Sequence, residues 1–285
     1  DARPQTGFGR QLTDWGAIRE FRPPFLPLNP GVLHFLHLAL STDSVSRIFK
    51  RELSVMKSPG ILKSSLAKKY AMALTGLFLC LFLAGHLAGN LQLLLKTGAE
   101  GQQVFNEYAE FMTTFPLVKI LSYLTYLSVL FHVVDGIVLS MQNKKARSGG
   151  YVMEKGKVNS KWSSRNMGIL GTIILLFMVS HMHSFWYKMH FGAMPTHNGL
   201  KDLHTVVLNF FSPANSLGLV AVIGYVLAQA ALAFHLSHGF QSAFQSLGLS
   251  HAKYNGAIEK VGFAFAIVVP ALFAVIPVVL YVSQL

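Results

Sequence analysis

Charge and cysteine are both scarce in this sequence. Asp, Glu, Lys and Arg make up only 13% of its 285 residues, whereas hydrophobic residues make up 52%. So few charged side chains cannot cover the surface of a water-soluble protein of this length. The composition therefore indicates a protein with several membrane spans. The one cysteine, Cys80, can form no disulfide within the chain.

Several common motifs are also absent. The sequence contains no Walker loop, no zinc-ligand spacing, no GxGxxG fingerprint and no CxxCH motif. These absences exclude a recognisable nucleotide site.

Five long apolar stretches are present instead. Each is long enough to cross about 30 Å of hydrocarbon as a helix. The sequence therefore predicts an all-α membrane protein with five transmembrane helices. The stretches cover roughly residues 70–95, 116–141, 166–187, 216–247 and 261–282. Pro270 and Pro277 predict kinks in the fifth.

The first 55 residues differ from the remainder. They contain five prolines, and their one apolar run, GVLHFLHLALS, is too short to span a bilayer. Residues 1–55 are either an N-terminal arm or a segment upstream of a start at Met56, and the sequence leaves both alternatives open. Residues 56–285 are predicted to form the transmembrane domain.

The positive charges follow the apolar stretches. The formal net charge is +12, from 24 Lys and Arg against 12 Asp and Glu. Basic residues are concentrated before the first stretch and between the second and third, which is typical of membrane topology rather than of a nucleic-acid-binding surface. The positive-inside rule then predicts a cytoplasmic N-terminus and a C-terminus on the outside.

Each of the first four stretches contains histidine. At a rise of 1.5 Å per residue, His86 and His181 lie about 24 Å along their helices from the inner surface, so both approach the outer side. His132 and His235 lie about 24–28 Å from the outer surface, so both approach the inner side. The sequence therefore predicts two pairs at two depths, the first stretch paired with the third and the second with the fourth.

Two neutral imidazoles at one depth are what a haem with two histidine ligands requires, and the interior of a helical bundle is a natural place for it. Gly136 and Gly239 follow His132 and His235 by four residues, where a missing side chain would let a porphyrin approach the backbone. Hydrogen bonding between helices, and helix packing through glycine, are the structural alternatives.

The remaining histidines are weaker candidates. His183 lies on nearly the opposite face from His181, and His238 lies nearly one turn closer to the inner surface than His235. Four others lie in or near loops and are expected to be solvated: His190, His197, His204 and His251.

A succession of motifs resembles one known family. The segments TGLFLCLFLAGHLAGNLQ, GAEGQQVFNEYAEFM, LSVLFHVVDG, GTIILLFMVSHMH and AFHLSHGFQSAFQSLGL are similar to the cytochrome b membrane-anchor subunit of succinate:quinone oxidoreductases, of the type with five helices and two haems. The resemblance runs from about residue 60 to the C-terminus. It implies a four-helix bundle around two haem b groups, with His86 and His181 ligating the outer haem iron and His132 and His235 the inner one.

The same resemblance implies partners and a location. A flavoprotein subunit would oxidise succinate, and an iron–sulfur subunit docked on the cytoplasmic face would pass electrons through the two haems to a membrane quinone, menaquinone in families of this type. The location implied is the bacterial cytoplasmic membrane. Glu107 and Glu110 of FNEYAEFM are candidates for exchanging protons with the quinone near the outer haem, with a solvated helix face as the alternative.

Two other functions stay open. One is the cytochrome b anchor of a formate dehydrogenase or a hydrogenase, which usually has four spans. The other is a small transporter or channel without a cofactor, whose histidines line a proton path.

Overall fold

The computed structural model describes residues 64–146 and 162–285. The predicted N-terminal arm, residues 1–55, lies outside these described residues. Within them the regular secondary structure is helical apart from one small hairpin. The helices are, in chain order, α1 (Ser65–Leu95), α2 (Gly98–Thr114), α3 (Pro116–Ala146), α4 (Trp162–Arg165), α5 (Met167–His181), a π-helical segment (Met182–Tyr187), α6 (Lys188–Phe191), α7 (Leu203–Phe210), α8 (Gly218–Ser246) and α9 (Ala252–Val282).

Five helical segments of the described residues are long and apolar enough to cross a membrane, which confirms the predicted number of spans. Four are α1, α3, α8 and α9. The fifth runs from Met167 to Phe191 and combines α5, the π-helical segment and α6. The chain is therefore a multi-pass membrane protein.

The last span begins earlier than the sequence pattern indicates. α9 starts at Ala252, outside the apolar stretch, because the Nδ1 atom of His251 accepts a hydrogen bond from the backbone N–H of Lys253 at 3.1 Å and so caps the first turn. The helix then continues through Pro270 and Pro277, both of which are buried. A proline removes one backbone hydrogen bond from its helix. A membrane span tolerates this loss where neighbouring helices cover the backbone that is left without a partner.

The first four spans form a ring. α1 packs against α3, α3 against α5, α5 against α8, and α8 returns to α1. α9 packs outside this ring against α8 and α1. In this order α1 and α5 are diagonal to each other, and so are α3 and α8. Side chains that point to the centre of the ring therefore meet partners from non-consecutive spans.

The main apolar core lies toward one end of the bundle. It includes Leu87, Phe105, Val222 and Ile276, which come from α1, α2, α8 and α9. This end also carries two of the connections between spans. One is α2, between α1 and α3, and the other is a two-stranded hairpin followed by α7, between α6 and α8. We call it the hairpin end, because the hairpin is the one strand structure among the described residues.

The hairpin consists of β1 (Thr196–His197) and β2 (Leu200–Lys201). Its turn residues Asn198 and Gly199 have φ values of 50° and 81°, as a two-residue hairpin turn with left-handed central residues requires. The amide of Asn198 donates to the Gln103 side-chain oxygen at 2.9 Å. This bond joins the hairpin to α2.

A buried polar network joins α2 to the start of α7. Asn106 is only 1% exposed; its amide donates to Asp202 at 2.9 Å, and its oxygen accepts the backbone N–H of His204 at 3.0 Å. Gln102 donates to the other Asp202 oxygen at 2.7 Å, and the Thr205 backbone N–H donates to Asp202 at 3.1 Å. Both polar atoms of the Asn106 side chain are thus satisfied inside the protein.

The same network corrects one prediction. His204, expected to be solvated, is 8% exposed, and its ring meets the edge of Phe105 at 6.0 Å between centroids. Its environment is set by Asn106 and Phe105, which are distant in the sequence, so its position near a loop gave no indication of its burial.

The network predicts a pH-dependent stability. Burial opposes the charge of Asp202, but hydrogen bonds from Thr205, Asn106 and Gln102 outweigh burial and lower its pKa from 3.8 to about 2. A lowered pKa in the folded state stabilises the protein above pH 3.8, by about 2 kcal/mol, and this contribution is lost as the pH falls toward 2. We expect the difference in unfolding midpoint between the wild type and Asp202→Asn to shrink below about pH 4. Thermal unfolding in detergent across this range measures it, and a difference that does not change with pH contradicts the assignment.

Candidate functional site

Two pairs of histidine rings face each other across the ring of helices. His86 of α1 and His181 at the end of α5 have ring centroids 5.8 Å apart, with an interplanar angle of 87°. His132 of α3 and His235 of α8 have centroids 6.2 Å apart, at an angle of 63°. We call them the hairpin-side pair and the opposite-side pair. Each pair joins two diagonal helices, so the structure brings together the residues that the sequence pattern pairs.

The separation within each pair suits a shared metal ion. A histidine nitrogen binds such a metal at about 2 Å, which puts the centres of two opposed rings about 6 Å apart. No group of three or more His, Cys, Asp or Glu side chains that could hold a metal occurs within residues 64–146 and 162–285. Two protein ligands per site are too few for a zinc ion, whereas two imidazoles are the number that a haem iron would take from the protein.

The two pairs lie at different depths. On α1, Gly76 faces the His132 ring, and His86 follows ten residues later. On α5, Gly171 faces the His235 ring, and His181 again follows ten residues later. At 1.5 Å per residue, both helices separate the two pairs by about 15 Å along the bundle.

α8 repeats this spacing. Tyr225 contacts His181, and His235 follows Tyr225 by ten residues. Three of the four helices in the ring therefore give the same distance between the two sites.

The π-helical segment positions His181. It begins directly after this residue, and its side chains fasten the span to neighbouring elements: Trp186 donates to the Tyr126 hydroxyl of α3 at 2.7 Å, and Phe185 packs on Phe210 of α7 at 5.1 Å. His183 instead stacks on Tyr187 at 5.8 Å. It is therefore His181, rather than His183, whose ring meets His86. Such wide turns within α-helices occur frequently at functional sites.

Aromatic rings surround the hairpin-side pair. Phe82 stacks on His86 at 5.3 Å, and Phe273 of α9 lies 5.7 Å from the same ring. Phe177 stacks on His181 at 5.7 Å, and Phe185 meets it at 5.4 Å. These walls leave the two imidazoles in apolar surroundings from which water is largely excluded.

The Nδ1 atoms of the four rings have different partners. His132 Nδ1 lies 3.3 Å from the Thr75 hydroxyl, with the Met72 carbonyl as a further partner of the ring, and His181 Nδ1 lies 3.1 Å from the Tyr225 hydroxyl. The amide nitrogen of Asn90 lies 3.4 Å from His86 Nδ1 and donates to the His86 carbonyl at 2.8 Å. The Nδ1 atom of His235 is buried and has no hydrogen-bond partner. The roles of Thr75 and Tyr225 were not predicted from the sequence. Hydroxyl residues are common in membrane helices, and only the packing shows which two contact the histidines.

Small residues lie beside the pairs, although several differ from the predicted ones. A Cβ atom at Gly76 would lie 3.3 Å from His132, and one at Gly171 would lie 3.9 Å from His235. Gly239, which the sequence singles out, has open space around its Cβ position, whereas Gly136 faces Met72.

The two quinone-site candidates lie on α2, at the hairpin end. Glu107 is exposed and accepts a hydrogen bond from Gln103 at 2.8 Å, whereas Glu110, one turn later, is half-buried. Between them Tyr108 reaches the α1 backbone at Gly89, where a Cβ atom would overlap its ring. This contact places the α2 face that carries Tyr108 against α1, within one turn of His86.

No family model, curated protein or solved structure matches this chain.

Gly76 supplies a test of the opposite-side pair. If His132 ligates haem b, Gly76→Leu should displace its ring and lower the haem content from two per chain toward one, because a Cβ atom alone already approaches the ring at 3.3 Å. Gly168→Leu on α5 is the control, since its Cβ position is open. Leucine favours the helix over glycine in both variants, so a loss of helix propensity cannot explain the result. Pyridine haemochrome analysis measures the content, and two haems per chain in Gly76→Leu would contradict the expectation.

Proposed function

We propose that this chain is the dihaem cytochrome b membrane anchor of a succinate:quinone oxidoreductase, which passes electrons between an iron–sulfur subunit and a membrane quinone. One observation carries the proposal. Two histidine pairs from diagonal helices lie about 15 Å apart in depth, each at the ring separation that a shared iron requires.

The residues present fit two haem b groups. Each site offers two imidazoles, and the buried Nδ1 of His235, which has no hydrogen-bond partner, would be satisfied if that nitrogen itself were the ligand. Gly85 next to His86, and Gly239 one turn after His235, have open Cβ positions that leave room for a planar group. Haem b, when bound, supplies one-electron iron chemistry.

The protein's own part is to hold and separate the two sites. His86 and His181 come from α1 and α5, and His132 and His235 from α3 and α8, so each site joins the opposite corners of the bundle. The phenylalanines around the hairpin-side pair exclude water from it. Apolar walls of this kind limit the solvent reorganisation that accompanies a change of charge.

The proposal extends to partners and location through the sequence resemblance. A flavoprotein subunit oxidises succinate, and an iron–sulfur subunit docks on the cytoplasmic face beside the opposite-side pair. The quinone, menaquinone in families of this type, reacts beside the hairpin-side pair. The membrane is the bacterial cytoplasmic membrane, with the N-terminus inside and the C-terminus outside.

The number of spans favours this family over the anchors of formate dehydrogenases and hydrogenases. Those anchors usually have four spans, whereas the described residues contain five. α9 is the additional one, and it is an integral part of the packing, because Phe273 lies against His86 and Phe265 packs beside Phe240 of α8 at 5.9 Å.

Single histidine variants test the two sites. We expect His86→Ala to remove the haem of the hairpin-side pair and His132→Ala that of the opposite-side pair, each leaving the other largely in place because the sites share no ligand. Reduced-minus-oxidised spectra and haem content measure this. The protein that is tested is the complex with its flavin-containing and iron–sulfur subunits, in which succinate should reduce the haems of the wild type.

Two outcomes would contradict the proposal. Full haem content in both histidine variants would overturn the pairing. A purified wild-type protein without a reducible Soret band would exclude both functions that require haem, the succinate:quinone oxidoreductase anchor and the formate dehydrogenase or hydrogenase anchor. It would favour the cofactor-free transporter.

Glu110 is the more promising of the two quinone-site acids, because its side chain is half-buried whereas that of Glu107 is exposed. We expect Glu110→Gln to lower quinone turnover about 100-fold or more, as for loss of one acid–base group, while leaving haem content unchanged. Glu107→Gln is the matched control and should retain turnover. Normal turnover in Glu110→Gln would remove it from the quinone site.

A further inference from the structure

Two hydroxyl groups approach the Nδ1 atoms of histidines on neighbouring helices. Thr75 of α1 lies 3.3 Å from His132, and Tyr225 of α8 lies 3.1 Å from His181. The two contacts thus involve one histidine of each pair. His86 and His235 have no hydroxyl at Nδ1: an amide lies near the first, and the second is unpartnered.

The Thr75 contact has a defined direction. The threonine hydroxyl donates its one proton within its own helix, to the Ala71 carbonyl at 2.7 Å, with the Met72 carbonyl at 3.2 Å. With its proton on the Ala71 carbonyl, the hydroxyl accepts from His132, whose imidazole then carries its proton on Nδ1; the Met72 carbonyl is a further acceptor for the ring. A neutral ring protonated on Nδ1 has its free lone pair on Nε2.

Gly76 supports this orientation. The nearest atoms to its Cβ position are Cε1 and Nδ1 of His132, at 3.3 and 3.7 Å. α1 thus faces the edge of the ring formed by Cε1 and Nδ1, and Nδ1 is the ring nitrogen nearer to residue 76. The absence of a side chain at residue 76 lets the ring come close enough for Thr75 to reach it.

Tyr225 is held in place by aromatic contacts. Its ring meets the edges of Phe177 at 4.8 Å and Phe211 at 4.9 Å, with interplanar angles of 83° and 87°. Phe177 also stacks on His181. The hydroxyl is therefore fixed relative to the imidazole instead of following it.

We propose that Tyr225 and Thr75 are positioning residues, one for each haem, which accept the Nδ1 protons of His181 and His132 and so direct Nε2 of each ring to the iron. The inference rests on the proposed function, because it assigns a role toward the haems. An imidazole that donates from Nδ1 is a more basic ligand and is held in one orientation. Each haem then has one histidine supported by a hydroxyl and one that is not.

The test uses the complete complex and compares two variants. Tyr225→Phe should raise the midpoint potential of the haem that His86→Ala removes, because a less basic ligand stabilises ferric iron less. That haem should also be lost to excess apomyoglobin about 10- to 100-fold faster. Thr75→Val should have the same effects on the haem that His132→Ala removes. In each variant the other haem should keep its potential.

Two controls separate positioning from packing. Thr75→Ser retains the hydroxyl and should behave as the wild type. Tyr123→Phe removes the hydroxyl of an exposed tyrosine on α3 and should change neither haem.

Electron paramagnetic resonance gives an independent readout. The low-spin signal of a haem with two imidazole ligands depends on the angle between their planes, and it is most anisotropic when they are near perpendicular, as for His86 and His181 at 87°. Tyr225→Phe should change this signal as the His181 ring loses its fixed orientation. The inference is overturned if both haems of Tyr225→Phe and Thr75→Val keep wild-type potential, retention and resonance signals. A wild-type protein without haem would instead overturn the proposed function.

Discussion

The structure depends on one constraint, which is that a polar imidazole inside a membrane bundle must have a partner. An unpartnered polar group in hydrocarbon costs several kcal/mol, so the positions of four histidines are more restrictive than those of the surrounding leucines and phenylalanines. The hydroxyls of Thr75 and Tyr225 satisfy it for His132 and His181, whereas Nδ1 of His235 has no hydrogen-bond partner. The pairing across both diagonals also sets which faces of α1, α3, α5 and α8 point inward.

The remaining elements support this arrangement from the hairpin end. α2 and α7 are joined by Asn106 and Asp202, and the apolar core that includes Leu87 and Ile276 lies just beneath. Phe185 and Phe211 extend that core to the His181 ring and to Tyr225. The loops and the histidine pair nearest to them thus form one continuous packed region, in which α9 replaces lipid on one side.

The number of spans and the pairing of the rings could be anticipated from the sequence because both depend on local properties. Apolar length indicates a span, and the constant rise of a helix converts residue number into depth, so His86 and His181 fall at one level and His132 and His235 at another. The Asn106 network, the burial of His204 and the choice of Thr75 and Tyr225 could not be anticipated. Each depends on a partner about 45 to 100 residues away, and the residue types involved also occur at many exposed positions.

The ten-residue interval restricts how this chain can change during evolution. It separates Gly76 from His86, Gly171 from His181 and Tyr225 from His235. Inserting or deleting one residue within any of these intervals would rotate the rest of the helix by about 100° and turn one of the two residues toward lipid while the other stayed in place. Length variation among diverged homologues should therefore accumulate in the connections between spans, whereas these three segments should keep a constant number of residues even where their side chains are exchanged.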